Sequence, residues 1–568
     1  LLLKLKRYRN HVIIIGLGHM GMIFLNRKIS ERKDIVVILR DEEKNYAENF
    51  LDLRIPVVYG NPSEDIVLEK ARITYASEIY ILTDDDILNV SVANKVSKAF
   101  ANGDTSCKSS IFAKDGQSKG EQSTTSKAPK VNCSVHIQDY EFKRSIEKED
   151  WVSKGGENIN LMIFNIYEMT ARHVVKDIPI EPKGKSVKTL ENPWVLIIGF
   201  GNMGSALLRQ LIRMKVYPGN KKLRITLVDN NAKKHEELLL SKYYDPKDRT
   251  RFIFRNVDLY FEQKELEKIH SIHDLLEQQS EKLPHVIYIC TENDALTNIL
   301  IYKIKLSLEE MLKSRDAAKN TKIVAFFRNT IFGSCKEYDS GYTTGNKPIK
   351  VYNINIVDIG CSSFMELSEI DIVAKMIHSN FFIKTFWDYL EESGADESLN
   401  RIYQSIKDSK NMNFFEKEAE IRKAFPNEVA QLIIIKPSRK EWQFLDEDFK
   451  NSNRLQADHL IDKLKVLDIK FNLSTDPKEV KDAINKNEDN VVETLADLEH
   501  ERYCAEKYVL LDKTDFKRFK DLPDKQKDWN KGIIEDIPAI LSFYQKIKWR
   551  DVHVRGICIR PRNSRETC

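Results

Sequence analysis

The sequence predicts an α/β chain: two doubly wound units in tandem, each a parallel sheet with flanking helices, then a mostly α-helical module built from tandem repeats. Three observations predict it. An apolar strand pattern, a glycine-rich turn and an amphipathic stretch follow one another twice, from His11 and again from Trp194. Strand and helix patterns alternate up to about Gly360. After that point charged, helix-periodic segments take over, and one motif within them occurs twice.

The bulk numbers fit this plan. A chain of 568 residues suffices for roughly three to four domains at ~150 residues each. Its 42% hydrophobic and 31% charged residues are an ordinary soluble balance with material for several cores. Net charge is +4, the difference between 90 basic and 86 acidic residues. The basic residues form no long block, so no nucleic-acid partner is expected. Eight cysteines (Cys107, Cys133, Cys290, Cys335, Cys361, Cys504, Cys558 and Cys568) are scattered without a Cys-x-x-Cys pair. Neither a disulfide framework nor a metal site is expected, and a reducing compartment fits. No stretch approaches the ~18 apolar residues that a bilayer span needs. The start, Leu1 to Asn10, is a short apolar run and a basic cluster. It reads either as a juxtamembrane segment facing anionic lipid or as a frayed end.

In the first unit His11–Ile15 is a strand, Gly16-Leu17-Gly18-His19-Met20-Gly21 a turn, and the stretch from Met22 a helix. In a Rossmann-type dinucleotide site the first glycine permits the tight turn. The second lets backbone approach a diphosphate, and the third lets helix and strand pack closely. Further strands are expected at Ile35–Leu39, Pro56–Tyr59, Glu78–Leu82 and Lys130–Ile137. Residues 101–129 read as a polar, flexible insertion. An acid for the ribose hydroxyls belongs at the end of the second strand, but Leu39 stands there, followed by Arg40 and Asp41. Asp41 with a slight shift, Arg40 reading a phosphorylated ribose, and an altered or empty site are the alternatives. Thr83 begins a Thr-Asp-Asp-Asp segment at the ligand-facing end of the fourth strand.

The second unit repeats the pattern with Trp194–Ile198, Gly199-Phe200-Gly201-Asn202-Met203-Gly204 and a helix over Ser205–Met214. Here the second strand, Leu223–Val228, runs into Asp229, where the ribose acid belongs. A later strand, Pro284–Cys290, ends in Thr291-Glu292-Asn293-Asp294. Two such units amount to an internal duplication. Between them the apolar positions of Asn160–Val175 recur every third or fourth residue and predict a helix, ended at Ile178-Pro179. It is either a crossover helix packed between domains or a plain connector. The expected division is a first unit over 1–158, a crossover helix and linker over 159–190, a second unit over 191–360 and the helical module over 361–568.

The run Gly60-Asn61-Pro62-Ser63 … Leu68-Glu69-Lys70-Ala71 … Thr83-Asp84-Asp85-Asp86-Ile87-Leu88-Asn89 resembles the RCK, or Trk-type N-terminal, domain of potassium channels and transport regulators. The likeness covers most of residues 10–100 and returns more loosely in 194–300. It implies NAD(H) or adenine-nucleotide (ATP/ADP) binding at Gly16, Gly18, Gly21, Asp41 and Thr83, and at Gly199, Gly201, Gly204, Asp229 and Thr291. It also implies a homo-oligomer, coupling to membrane pore segments, and a cytoplasmic place at the inner face of the membrane.

The helical module carries its own repeat. Ala374-x-x-x-His378-x-x-Phe381 matches Ala496-x-x-x-His500-x-x-Tyr503, and Leu445 … Lys450 … Asn453 matches Leu522 … Lys527 … Asn530, the first copy holding a long insertion. Ala, His and aromatic positions of this spacing share one helix face. Leu495–Tyr503, with the later segment through Trp529, resembles the ryanodine-receptor repeat (RyR) domain, which implies a small helical module for ligands or partners. Two readings stay open for the histidines: hydrogen-bonded packing residues, or a pocket of His378, Trp442, His500, Arg502, Tyr503 and Trp529.

No Gly-x-Ser-x-Gly elbow, P-loop or His-Glu-x-x-His helix is present. The expectation is a non-enzymatic, ligand-sensing regulatory portion of a potassium channel or transport regulator, with no catalytic residues. An NAD(P)-dependent oxidoreductase and a signal-nucleotide sensor using the RyR-like module are the alternatives.

Overall fold

A computed structural model describes residues 5–40, 55–101, 131–153, 158–181, 193–218, 221–245, 248–275, 283–312, 321–328, 337–338, 349–365, 367–394, 397–409, 412–469, 475–486, 491–510 and 517–554. The first unit is a parallel sheet of β1 (His11–Ile15), β2 (Ile35–Leu39), β3 (Val57–Tyr59), β4 (Ala76–Ile81), β5 (Val131–His136) and β6 (Ile159–Phe164), ordered β3-β2-β1-β4-β5-β6. Every residue of β1 and β2 is buried. Helices cover both faces of such a sheet, so its central strands are apolar throughout rather than alternating.

The second unit repeats this order with β7 (Trp194–Ile198), β8 (Leu223–Asp229), β9 (Val257–Gln263), β10 (Val286–Ile289), β11 (Lys322–Phe327) and β13 (Lys350–Asn355); the short antiparallel β12 (Glu337–Tyr338) closes one edge. In both units the strand order reverses beside the glycine-turn strand, which opens the crevice where ligands bind in doubly wound sheets.

One expectation is corrected. Asn160–Val175 is not one helix: Ile159–Phe164 is β6, paired in parallel with β5, and the helix begins at Ile166. The first sheet therefore extends past residue 158. A continuous apolar run fits a buried parallel strand as well as a helix, and pairing with β5 decides it.

The helices after the two sixth strands bind the units together. These are α5 (Ile166–Asp177) and α9 (Ile356–Met365), and both start on an asparagine. Asn165 accepts from the Glu168 amide at 3.0 Å and Asn355 from the Asp358 amide at 2.8 Å, each satisfying an orphan donor of its helix. α5 lies against α9 and against α6 (Asn202–Met214) of the second unit; α9 in turn lies against α1 (His19–Ser30) of the first. Each unit thus lends its last helix to the other. Thr170 donates to the Ile356 carbonyl at 2.9 Å, and the Phe364 ring stacks on Phe164 at 3.9 Å.

The module beyond is helical, and its repeat is visible in space. α10 (Leu367–Glu392) packs on α14 (Glu447–Val466), as α16 (Val491–Leu510) packs on α17 (Asp524–Glu535). α11 (Glu397–Lys407), α12 (Phe414–Ala424) and α13 (Pro426–Ile435) lie within the first copy only. In each copy the histidine Nε2 lies on a backbone carbonyl: His378 on Lys440 at 2.9 Å and His500 on Lys517 at 2.8 Å. A one-turn helix follows, Trp442–Phe444 or Phe519–Asp521, and then a buried leucine, Leu445 or Leu522. The module is tied to the paired units by charge: Asp448, Asp458 and Asp462 of α14 meet Arg144, Arg172 and Lys215, and Glu501 meets Arg255 at 3.2 Å.

Candidate functional site

The second glycine turn is built as the sequence requires. Gly199 has φ +88°, and a Cβ there would stand 2.9 Å from the Cys290 carbonyl oxygen, so only glycine lets β7 turn past the end of β10. A Cβ on Gly204 would lie 2.3 Å from the Gly199 oxygen, which is how closely α6 seats on the turn. Gly201 precedes α6 and supplies no side-chain cap of its own to the helix amides.

Asp229 ends β8 beside this turn. Its Oδ2 accepts from the Phe200 amide at 2.9 Å and its Oδ1 from the Asn231 amide at 2.8 Å, while His235 Nε2 stands 3.4 Å from Oδ1. The carboxylate is thus fixed at the strand end, on the wall of the crevice. Gly199, Gly201, Asp229, His235, Leu266 and Thr291 are among the residues lining an open cleft of about 440 Å³. The Thr291 hydroxyl is engaged with Thr297 at 2.5 Å and with the Asn293 carbonyl at 3.0 Å, so it shapes the strand end. Glu292 reaches into the cleft: its Oε1 accepts from the Asn202 amide at 3.3 Å and lies 2.6 Å from where a Gly201 Cβ would stand.

The first turn has the same geometry. Gly16 has φ +88° with the Thr83 amide 3.1 Å from its would-be Cβ, and a Cβ on Gly21 would lie 2.1 Å from the Gly16 oxygen. Gly18 is open, its nearest neighbour being Asp84 Oδ1 at 3.9 Å. Thr83 is held by Asn89, which accepts from its hydroxyl at 2.6 Å and its amide at 3.2 Å. Leu39 is buried, Arg40 is exposed, and Asp41 lies outside the described residues.

The six residues expected in an RyR-like pocket do not converge on one place. His378 meets Trp442 edge-on at 5.9 Å, and Trp529 stacks on Phe381 at 5.8 Å. His500 packs near Phe519 at 6.2 Å. Arg502, expected as a pocket cation, is fully buried between Glu499 at 2.9 Å and Glu506 at 2.8 Å. An unpaired guanidinium could not be buried there, so its donors are committed to its own helix neighbours. Tyr503 is 41% exposed.

Sequence reasoning missed two charged residues that stand beside the turns. Arg328, just past β11, donates to the Tyr167 hydroxyl of α5 at 2.8 Å and lies 3.8 Å from Glu292. Asp358 of α9 lies 3.3 Å from His19, the residue after Gly18. The position of Arg328 at a strand's carboxyl end was the available signal.

With both turns built this way, the comparison with known families falls on the first of them. Residues 12–111 match the TrkA-N domain. Among solved structures, GsuK bound to ADP is 15% identical, with a TM-score of 0.35 over 63% of this chain and 69% of that one. The GsuK channel bound to NAD is 13% identical, with a TM-score of 0.36 over 63% and 64%. The TrkA-N domain of the inner membrane protein ybaL from Escherichia coli is 12% identical, with a TM-score of 0.22 over 30% of this chain and 98% of that one. No curated protein matches the chain. The TrkA-N unit and the second sheet share one strand order. Among the described residues no helix is long and apolar enough to cross a membrane, and no group of three or more His, Cys, Asp or Glu side chains could hold a metal ion.

Proposed function

We propose that this chain is a nucleotide-binding regulatory portion of a potassium channel or transport regulator, working at the inner face of a membrane as part of a homo-oligomer. NAD(H) or an adenine nucleotide occupies the second cleft, its diphosphate on the turn of Gly199, Gly201 and Gly204 and its ribose on Asp229. The first turn, of Gly16, Gly18 and Gly21, is a second seat for the same class of ligand. The observation that carries this reading is the cleft itself. The tip of α6, whose Asn202 amide is held only by the exposed Glu292 side chain, and a fixed carboxylate at the end of β8 face one crevice of nucleotide size. The TrkA-N match supports it for the first unit. The exchanged helices α5 and α9 make the angle between the units the natural output, since a ligand that prefers one arrangement shifts the population toward it. The RyR-like module is a further input, docked on both units. Titration calorimetry with ADP and with NAD on the full chain tests the reading: both bind the wild type, and Asp229→Ala weakens one of the two binding events. If neither nucleotide binds, the proposal is wrong; unchanged binding in the variant moves the ligand away from Asp229.

A further inference from the structure

The two clefts differ at the residue that follows the strand-end threonine. Thr83-Asp84 and Thr291-Glu292 occupy the same place after the fourth strand of their sheets. Asp84 stops short, 3.9 Å from the nearest point a Gly18 side chain would reach. Glu292 is one methylene longer, and its Oε1 sits on the Asn202 amide at the tip of α6. That amide belongs to the turn that a diphosphate needs. An anion already holds the anion seat of the second cleft.

A second anion cannot share it. The helix terminus presents a partial positive charge and a few unpaired amides, enough for one occupant. Glu292 is 49% exposed on its side chain, so it can swing into solvent without disturbing the core. Its departure leaves Arg328 without that carboxylate 3.8 Å away. A guanidinium in that position turns to the incoming phosphate, which offers more acceptor oxygens in a forked geometry. Arg328 also holds the hydroxyl of Tyr167, a buried residue on the helix lent by the first unit. Occupancy of the second cleft is thereby registered on α5.

We infer that Glu292 is a built-in competitor for the ligand diphosphate, and that Arg328 passes from Glu292 to the ligand phosphate when it is displaced. This rests on the nucleotide reading above and adds its regulation. The second cleft binds by exchange, whereas the first is open at the same point.

Calorimetry with ADP and with NAD on the full chain tests it. Glu292→Gln removes the charge and keeps the shape; Glu292→Asp copies the first cleft. Both variants should tighten binding at the Asp229 site, the glutamine by about tenfold, the scale of one charge-assisted hydrogen bond at a helix terminus. Arg328→Gln should weaken it by about as much. Binding in Glu292→Gln equal to or weaker than wild type overturns the competitor. Tighter binding in Arg328→Gln shows that the arginine only anchors Glu292 and overturns the exchange. Those results leave wild-type binding intact. If wild type and Glu292→Gln both fail to bind, the nucleotide reading itself has failed, and this inference with it.

Discussion

Gly360 of α9 lies directly on Ile166 of α5: a methyl group at Gly360 would stand 2.7 Å from the Ile166 carbonyl oxygen and 2.8 Å from its Cβ. Thr170 Oγ1, which bonds the Ile356 carbonyl, would be 3.0 Å away. Two helices from different units cross at this point, where Gly360 leaves room for the backbone and side chains of α5. Gly360→Ala gains about 1 kcal/mol of helix propensity. It also forces apart backbone that cannot yield locally, an overpacking cost of roughly 1–3 kcal/mol. The clash should win, lowering stability by about 1 kcal/mol, and Gly360→Leu should cost more. Chemical denaturation reads both. A more stable alanine variant would mean that α5 and α9 slide past each other freely.

Asn89 is fully buried and makes four bonds from one amide. It accepts from the Thr83 amide and hydroxyl, and donates to the carbonyls of Thr83 and His136 at 2.8 and 3.0 Å. It thereby ties the ends of β4 and β5 together at the first crevice. Asn89→Ala leaves those buried groups unpaired and should cost roughly 2–4 kcal/mol, about the penalty of one or two unsatisfied groups. Hydrogen exchange should quicken at Thr83 and Ile137 before it does in the second sheet. A loss below about 0.5 kcal/mol, within the range of an ordinary surface change, would show that water replaces the amide there.

Which parts were legible follows from what sets them. The glycine turns could be read because positive φ and a 2.9 Å approach to the Cys290 carbonyl at Gly199 leave only glycine possible. Asp229 could be read because its place follows from the strand before it. The module's repeat was readable through Ala374 and Ala496, both fully buried, one turn from a histidine that meets a carbonyl. β6 was not, because an apolar run gives no period of two when both faces are covered. Contacts such as Arg328 with Tyr167, 161 residues apart, leave no local pattern at all. Of the two open readings the pocket one does not hold for Arg502, whose spacing from Glu499 and Glu506 fits same-helix pairs.

Arg172 and Asp458 form a buried two-pronged pair between α5 and the module, with one arm at 3.1 Å and side chains 9% and 3% exposed. Removing one partner strands a charge in low dielectric. Asp458→Ala should therefore cost about 3–5 kcal/mol, and Arg172→Met a similar amount. The double variant Arg172→Met with Asp458→Leu should recover much of that loss, since an apolar pair carries no desolvation penalty. Additive losses across this double-mutant cycle would show that the two charges act independently. Limited proteolysis between the second unit and the module gives the structural readout. The single variants should be nicked faster and the double variant should not.

Acid should weaken the fold already above the usual carboxylate range, and His378 is one cause. Burial pushes its pKa down to about 4, against the opposing pull of the Glu418 carboxylate and the Lys440 carbonyl. The carbonyl accepts from Nε2, so a second proton would have to sit on Nδ1 inside the module. An unfolded histidine titrates near 6.5. Between those values the unfolded chain holds a proton that the folded chain refuses. Stability from this group is then complete above pH ~6.5 and falls as pH drops toward 4, by at most ~1.4 kcal/mol per pH unit. Glu447 behaves differently. Burial opposes its charge, yet Arg454 and Lys450 hold it down to about 2, so its contribution is lost only below the usual carboxylate range. The window from pH ~4.5 to 6.5 lies above that loss, and a variant changed only at His378 separates this histidine from Glu147 and Glu501, whose carboxyls burial pushes up. His378→Gln keeps a donor for Lys440 and has nothing to titrate. Its stability-against-pH slope in that window should be shallower than wild type by up to one proton, with His136, also pushed to about 4 by burial, supplying part of what remains. Equal slopes in the two proteins would mean that the module opens to water around His378 before the chain unfolds.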